Sequence, residues 1–450
     1  MSANPRTIAE LGRAFRAREL SSEAATAECL ARIADRNPAI NAFIAVLADQ
    51  ALAQACEADA ERQRGHDRGP LHGVPLSLKD IFDLRGMATT AASRVRAGHV
   101  AAADATVVER LRQAGAVFLG KTNLHEFALG TTNEDSAFGA VRHPLDPNRS
   151  PGGSSGGSAA SVLDGMAYAS LGTDTGGSIR IPAAACGLVG LKPSVGEIPV
   201  DGIVPLSTTM DHVGPLCQSV EDAAILLDAI RSTQSRRTPR DVNGLRIGVL
   251  RGYFTALLDP QVGAAFEATC DALIAAGAQL EDVQIAHAGD IAPVYLHIVL
   301  AEAAALHAKT LDSHADAYTA NVRMRLEMGR YIMAEDYVRA LRGRDVLIAE
   351  VDGALHGRDA LLLPSLAVPA VRLGAAIVKI GTVEEPVRNI TLRLTQLFNI
   401  TGHPAITLPC GTTTDGLPIG AQLVGRRQQT DELFTVAAPI EPLLRRQFPG

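Results

Sequence analysis

The sequence is poor in cysteine, and its few cysteines are not spaced for metal binding. The six cysteines are Cys29, Cys56, Cys186, Cys217, Cys270 and Cys410. They form no C-x-x-C pair and no Cys/His cluster of the kind that builds a zinc site. We therefore expect buried free thiols and no metal site.

Positive charge is also in short supply. The chain has 42 Lys and Arg against 49 Asp and Glu, which gives a formal net charge of −7 and an isoelectric point near 6.0. Proteins that bind phosphate backbones usually present a broad basic surface, and this composition does not provide one. We expect no nucleic-acid partner.

Long uninterrupted apolar runs are missing as well. Residues 1–8 are polar and include Pro5 and Arg6, so they lack the apolar stretch of a signal peptide. The most apolar helical stretch, 291–306, contains His297 and Glu302 and is shorter than the roughly 20 residues that cross a bilayer. We expect no membrane span and a cytoplasmic, reducing location.

What the chain does have is the composition of a globular protein in which helices and strands alternate. Of its 450 residues, 47% are hydrophobic and 20% are charged, which suffices for a substantial core. Amphipathic helices are predicted in residues 1–65. Further helical patterns at 105–114, 220–230 and 261–276 separate short apolar runs, as in an α/β sheet buried on both faces. The apolar runs lie at 74–78, 116–119, 167–171, 247–250, 360–363, 405–408 and 419–424.

One charged, helix-rich segment, 297–356, interrupts the strand pattern. No Pro/Gly/Ser linker isolates it, so we expect a helical insertion over one edge of the sheet and not a separate domain.

Residues 115–122, Gly-Ala-Val-Phe-Leu-Gly-Lys-Thr, match the P-loop pattern G-x-x-x-x-G-K-[ST]. In a P-loop a strand precedes the first glycine, and the middle residues form an open cradle of N–H groups around phosphates. Here a helix is predicted before Gly115, and 116–119 are themselves the strand. We therefore reject a nucleotide hydrolase.

Residues 152–156 match G-x-S-x-G, the nucleophile elbow of α/β-hydrolases, with Ser154 as nucleophile. An elbow follows directly on an apolar strand, but 143–151 is a loop with three prolines that cannot be an interior strand. No acid and histidine stand downstream in an informative context. We disfavour this interpretation.

Two glycine and serine loops carry the stronger signal. Residues 152–158 run into a helix, and residues 172–182, Gly-Thr-Asp-Thr-Gly-Gly-Ser-Ile-Arg-Ile-Pro, follow an apolar run. Successive N–H groups in 175–178 can form a nest that stabilises an oxyanion. Ser178 ends that nest, which makes it a candidate nucleophile.

A serine nucleophile needs a base, and Lys79 is the candidate. In a strand over 74–79, the period of two puts Ser77 and Lys79 on the same face. Lysine is almost fully protonated at neutral pH, so a base role requires burial that lowers its pKa by several units. The alternative is a solvated lysine at a strand end.

Three stretches together resemble the amidase signature family: 71–80 (Leu-His-Gly-Val-Pro-Leu-Ser-Leu-Lys-Asp), 150–160 (Ser-Pro-Gly-Gly-Ser-Ser-Gly-Gly-Ser-Ala-Ala) and 171–193. The resemblance covers nearly the whole chain. It implies a single α/β domain over residues 1–450 with a central mixed β-sheet covered by helices on both faces, and a catalytic core within 70–215. Supporting matches lie at 120–123, 211–215, 398–405 and 417–425.

The resemblance also implies a Ser-Ser-Lys triad. Lys79 would be the neutral base, Ser154, after a cis peptide from Gly153, the relay, and Ser178 the nucleophile. No cofactor and no metal are implied. The implied oxyanion donors are the N–H groups of Thr175, Gly176, Gly177 and Ser178, and the implied supporting residues are Ser155, Thr173, Asp174 and Arg180.

The implied reaction is hydrolysis of a small-molecule carboxylic amide to acid and amine through an acyl-enzyme. Ala128, Leu129 and Gly130 fall where the family lines its acyl pocket, and they are small or apolar, which favours an apolar or aryl group. A carbamate or ester hydrolase with the same triad stays an alternative. So does the glutaminase subunit of the tRNA-dependent amidotransferase, ranked lower because no evident extension for holding a partner follows Gly425. We expect a monomer or homodimer.

Overall fold

A computed structural model describes residues 6–447. The two ends of the predicted domain, 1–5 and 448–450, lie outside the described residues. The helices are α1 (Ile8–Ala17), α2 (Ser22–Ile40), α3 (Ala48–Gln63), α4 (Thr106–Gln113), α5 (Gly156–Leu163), α6 (Arg180–Ala185), α7 (Val220–Arg231), α8 (Pro260–Ala275), α9 (Ile291–His314), α10 (Ala320–Gly329), α11 (Ala334–Leu355), α12 (Val387–Leu392), α13 (Leu397–Ile400) and α14 (Thr430–Gln447).

The strands form one large mixed sheet and a separate hairpin. They are β1 (Phe43–Val46), β2 (Pro75–Lys79), β3 (Val117–Thr122), β4 (Ala169–Asp174), β5 (Val189–Lys192), β6 (His212–Cys217), β7 (Arg246–Leu250), β8 (Gln279–Val283), β9 (Ala360–Pro364), β10 (Ile377–Ile380), β11 (Val383–Pro386), β12 (Ala405–Thr412) and β13 (Pro418–Val424). The sheet order is β1-β3-β2-β4-β6-β5-β12-β13-β9-β7-β8, and β10 pairs with β11. The predicted single-domain mixed α/β fold is confirmed.

Local sequence explains where several helices begin. Thr7 caps α1 by accepting a hydrogen bond from the N–H of Glu10, whose carboxylate in turn accepts from the N–H of Thr7, a capping box. Ser219 caps α7 in the same position by accepting from the N–H of Asp222 at 3.1 Å. Each cap satisfies N–H groups that the first helical turn leaves unpaired.

The pairing of two interior strands brings two functional loops to one edge of the sheet. β2 and β4 are parallel neighbours, with Leu78 opposite Leu171. Their carboxyl ends therefore lie side by side, which puts Lys79 next to the residues that end β4. Both strands are buried along their whole length, so any polar group at these ends is removed from water.

The segment predicted as a helical insertion forms α9, α10 and α11, between β8 and β9 in the chain. We expected its apolar part to be too short to cross a membrane, and this expectation is wrong. By length and composition alone, the helical stretch Ala288–Ala317 is long and apolar enough to do so. However, 56% of its most apolar window is buried within the protein, and Glu302 accepts hydrogen bonds from Ser207 and from Tyr337. These are the contacts of a helix packed in a protein interior.

The P-loop match forms part of the sheet. α4 precedes Gly115, and β3 pairs with β1 on one side and with β2 on the other. The backbone N–H groups of β3 therefore take part in the hydrogen bonding of the sheet. Lys121 is fully buried, forms an ion pair with Asp80 at 2.9 Å and donates to the carbonyl of Phe82 at 2.7 Å. This lysine is a structural partner of Asp80.

The cysteines are all free in the described structure. Five are buried, as expected, but Cys56 is exposed, so the expectation is wrong for that thiol. Among residues 6–447, no group of three or more His, Cys, Asp or Glu side chains is arranged to hold a metal ion.

We predict that Lys121→Met lowers the free energy of unfolding by about 3–5 kcal/mol, because it leaves the buried Asp80 carboxylate unpaired. Denaturant-induced unfolding measures the loss. The double variant Lys121→Met/Asp80→Asn removes the unpaired charge and should recover part of it. Two results together would contradict the structural role of Lys121. The stability of Lys121→Met would be unchanged, and the variant would lose a Mg²⁺-dependent ATP hydrolysis that the wild type shows.

Candidate active site

Lys79 is the last residue of β2 and is fully buried. Its Nζ lies 2.8 Å from Oγ of Ser154 and 2.8 Å from Oγ1 of Thr173. Burial lowers the pKa of Lys79 to about 7, although the negative charges of Asp211 and Asp174 act in the opposite direction. A large fraction of this amine is therefore neutral near pH 7, and its lone pair can accept a proton from Ser154 across the same contact.

Ser154 and Ser178 sit on two loops that are joined through their backbones. The peptide between Gly153 and Ser154 is cis. The N–H of Ser155 donates to the carbonyl of Ser178 at 3.3 Å, and its hydroxyl donates to the carbonyl of Thr173 at 3.2 Å. These bonds hold the two serine loops against each other at the end of β4.

Ser178 is buried, with 6% of the residue exposed, and its hydroxyl forms no hydrogen bond with any residue that the structure describes. The first half of the predicted relay, the contact from Lys79 to Ser154, is present. The second half, a hydrogen bond from Ser178 to Ser154, is not made here. The roles of relay and nucleophile therefore stay predictions, supported by the proximity of the two loops.

The loop 175–178 presents free N–H groups. Within the described part of the chain, none of its four backbone N–H groups donates a hydrogen bond. Gly177 has a φ of +138°, and the Gly176 carbonyl is held by the Thr395 hydroxyl at 2.6 Å. A Cβ on Gly176 would lie 2.3 Å from the Tyr295 Oη, so only glycine fits. This arrangement can bind a developing oxyanion at little reorganisation cost.

A buried ion pair holds that loop in shape. Asp174 and Arg180 are both fully buried, and their side chains form two hydrogen bonds, at 3.0 Å and 3.1 Å. Asp174 also accepts from the N–H of Ile179 at 3.1 Å. Burial alone would raise the pKa of Asp174, but the Arg180 guanidinium holds it well below its usual value. The predicted supporting pair thus closes the turn that carries Ser178.

Sequence reasoning missed the residues that surround this pair. Arg180 donates to Oδ1 of Asn399 at 2.6 Å and to Oε1 of Gln422 at 3.0 Å. The Thr175 hydroxyl donates to Asp211 at 2.5 Å, and burial raises the pKa of Asp211. Asn399, Gln422 and Asp211 all lie in the supporting matches to the family, which could have indicated them.

The predicted acyl-pocket residues form a buried turn beside Ser154. The N–H of His125 donates to the Ser154 carbonyl at 3.1 Å, and the N–H of Ala128 donates back to the His125 carbonyl at 2.8 Å. Ala128 has a φ of +59°, and a Cβ on Gly130 would lie 2.1 Å from the His125 ring. Leu129 is buried in the same turn. Whether Ala128, Leu129 and Gly130 line the substrate pocket stays a prediction.

Comparison with known proteins identifies relatives over nearly the full length. The chain is 36% identical to a subunit of the glutamyl-tRNA(Gln) amidotransferase of Koribacter versatilis, covering 99% of each chain. It is 41% identical to an amidase of Pseudomonas putida, covering 91% of this chain and 90% of that one. A solved amidase structure superposes with a TM-score of 0.93 at 36% identity, covering 97% of this chain and 100% of that chain.

The family model described as Amidase matches residues 24–434. That span contains every residue of the site described above. The chain belongs to the amidase family, whose members hydrolyse C–N amide bonds.

Proposed function

We propose that this protein is an amidase that hydrolyses a carboxylic amide to acid and amine through an acyl-enzyme on Ser178. The observation that carries the proposal is the buried Lys79, whose pKa is lowered to about 7 and whose Nζ contacts Ser154 at 2.8 Å. A base whose pKa lies near 7 can accept a proton from the nucleophile at neutral pH and later return it to the leaving group. Membership of the amidase family supports the same reaction class.

In the proposed mechanism, the Ser178 proton passes through Ser154 to Lys79 while Ser178 Oγ bonds to the carbonyl carbon. The N–H groups of the 175–178 loop stabilise the resulting oxyanion. The proton then moves to the amine nitrogen, the C–N bond breaks and the amine departs. Water hydrolyses the acyl-enzyme with the same residues in reverse order. The hydrogen bond between Ser178 and Ser154 forms when substrate positions the hydroxyl.

We propose a small-molecule substrate and activity without a partner protein. The amidase relative supports this choice, whereas the relatives that are amidotransferase subunits support a second candidate, the glutaminase subunit of such a complex. Carbamates and esters present a carbonyl to the same residues, so they remain alternative substrates. We propose that the protein is a monomer or a homodimer.

We predict that a fluorophosphonate probe modifies Ser178. Ser178→Ala should abolish labelling and lower kcat by about 10⁴-fold or more, because the covalent route is lost. Mass spectrometry of the labelled peptide identifies the site. The matched control is Ser155→Ala, which should still be labelled. Modification of Ser154 with Ser178 untouched would instead favour the elbow interpretation.

We predict that kcat/KM rises with pH along one ionisation near pH 7 and then levels off. Below that pKa Lys79 is protonated and cannot accept a proton, and above it the amine is neutral and competent. Lys79→Ala should remove this ionisation, and Lys79→Arg should not restore activity because guanidinium keeps its proton. Pre-steady-state and steady-state pH profiles measure the effect.

Matched amide and ester substrates sharpen the Lys79 test. The leaving amine must be protonated, whereas an alkoxide leaves more easily, so Lys79→Ala should cost the amide more than the ester. Equal losses for both, with the pH profile of the wild type, would show that the base lies elsewhere.

We predict that the purified chain alone hydrolyses a small aryl or alkyl amide with a higher kcat/KM than glutamine. Ammonia release, measured without any added protein, checks this. Turnover of glutamine only, and only after a partner protein is added, would support the glutaminase subunit instead.

A further inference from the structure

Glu302 is a buried acidic residue in the apolar helix α9. A carboxylate that is removed from water is costly unless hydrogen bonds replace its solvation. This carboxylate accepts four: one from the hydroxyl of Ser207, two from the N–H and the hydroxyl of Thr209 at 3.2 Å and 2.8 Å, and one from the hydroxyl of Tyr337 at 2.9 Å. Three of the four come from a single turn within the predicted catalytic core. Glu302 therefore joins the helical insertion to that turn.

The turn at 206–211 leads directly into β6 and is held closed by Asp211. Oδ2 of Asp211 accepts hydrogen bonds from two backbone N–H groups of the turn, at 2.8 Å and 3.1 Å. The Ser207 hydroxyl, which donates to Glu302, also accepts from the N–H of Met210 at 3.2 Å. The turn is thus closed from within by one carboxylate and anchored from α9 by another. The position of Asp211 depends on both.

Asp211 connects this turn to the oxyanion loop. Its Oδ1 accepts a hydrogen bond from the hydroxyl of Thr175, the first residue of the loop 175–178, at 2.5 Å. β6 pairs with β4 so that His212 lies opposite Asp174, which places the turn beside the end of β4. Oxyanion donors lower a barrier only when their directions are fixed before the reaction. A displacement of Asp211 would therefore disturb the N–H groups of the loop.

We propose that Glu302 is a positioning residue for the reaction, which fixes the oxyanion loop by anchoring the turn that carries Asp211. This inference rests on the proposed amidase function and adds a residue of the helical insertion to its apparatus. Glu302 contacts the turn and not the loop itself, so it acts on the reaction through Asp211. Because the oxyanion develops only in the transition state, loss of this anchor should lower kcat and leave KM nearly unchanged.

The hydrogen bonds of Glu302 supply a matched pair of variants. Tyr337, on α11, donates to Oε1 of Glu302 at 2.9 Å from within the insertion, whereas Thr209 donates to the same oxygen at 2.8 Å from the turn. Removing either hydroxyl costs one hydrogen bond of similar length, but only Thr209 belongs to the anchored turn. Glu327, on α10, offers a surface control, since it is partly exposed and pairs with Arg323 at 2.8 Å.

Steady-state kinetics with a small aryl amide separate positioning from packing. Glu302→Gln should lower kcat by on the order of 10- to 100-fold, with KM changed by less than about 3-fold. Thr209→Val should lower kcat by a smaller factor, whereas Tyr337→Phe and Glu327→Gln should keep the kcat of the wild type. Unchanged kcat in Glu302→Gln, or equal losses in Thr209→Val and Tyr337→Phe, would overturn the proposal.

A double-mutant cycle tests the route through Asp211. Thr175→Val removes the hydroxyl that donates to Asp211 and keeps the backbone N–H group. Because Glu302→Gln and Thr175→Val interrupt the same chain of hydrogen bonds, kcat of the double variant should lie within about 3-fold of that of the more impaired single variant. Losses that multiply would show two independent effects and overturn this route.

Hydrogen exchange separates this inference from the proposed function, because it requires no turnover. In the Ser178→Ala background, Glu302→Gln should speed exchange by on the order of 10-fold or more at the two N–H groups that bond to Asp211. The same increase is expected at the N–H of Ile181, which donates to the carbonyl of Gly177 at 2.7 Å.

Faster exchange at both places supports the anchor even if the wild type hydrolyses no amide, a result that would contradict only the proposed function. Faster exchange confined to the helices of the insertion would overturn the anchor while leaving amide hydrolysis intact.

Discussion

The proposed chemistry depends on the burial of one amine, the Nζ of Lys79. Lys79 ends an interior strand, the third of the eleven that the described residues form in the main sheet, and it is fully buried, so its Nζ has no water to solvate a positive charge. The resulting shift of its pKa to about 7 depends on keeping the neighbouring carboxylates from restoring that charge. Asp174 is paired with Arg180, and burial raises the pKa of Asp211, which favours its neutral form. The residues around these two carboxylates therefore affect the pKa of Lys79 as well as the shape of the loop.

The same ion pair ties together parts of the chain that are far apart in sequence. Arg180 follows the nucleophile loop, yet its guanidinium donates to Asn399 on α13, to Gln422 on β13 and to the carbonyl of Thr395. Because Thr395 also holds the Gly176 carbonyl, the C-terminal third fixes the orientation of the oxyanion donors. The geometry of the loop 175–178 is thus a property of the whole domain and not of its local sequence.

Sequence patterns predicted the buried parallel strands well because a strand covered on both faces must be an uninterrupted apolar run, as in β2, β4 and β9. They missed six of the described strands. The edge strands β1 and β8 are short or largely exposed, and β10 and β11 form the separate, largely exposed hairpin. The strands β5 and β6 are buried, but glycine, and in β6 also proline, interrupts their apolar pattern. Motifs indicated Lys79, Ser154 and Ser178, but the burial of Lys79 depends on tertiary packing.

The charge balance around the base acts in two directions. In the free enzyme, burial lowers the pKa of Lys79, while the negative charges of Asp211 and Asp174 raise it. In the proposed mechanism Lys79 receives the proton of Ser178, and the same negative charges then stabilise the ammonium group that forms. The carboxylates that oppose the neutral base before the reaction therefore favour its protonated state while the tetrahedral intermediate exists.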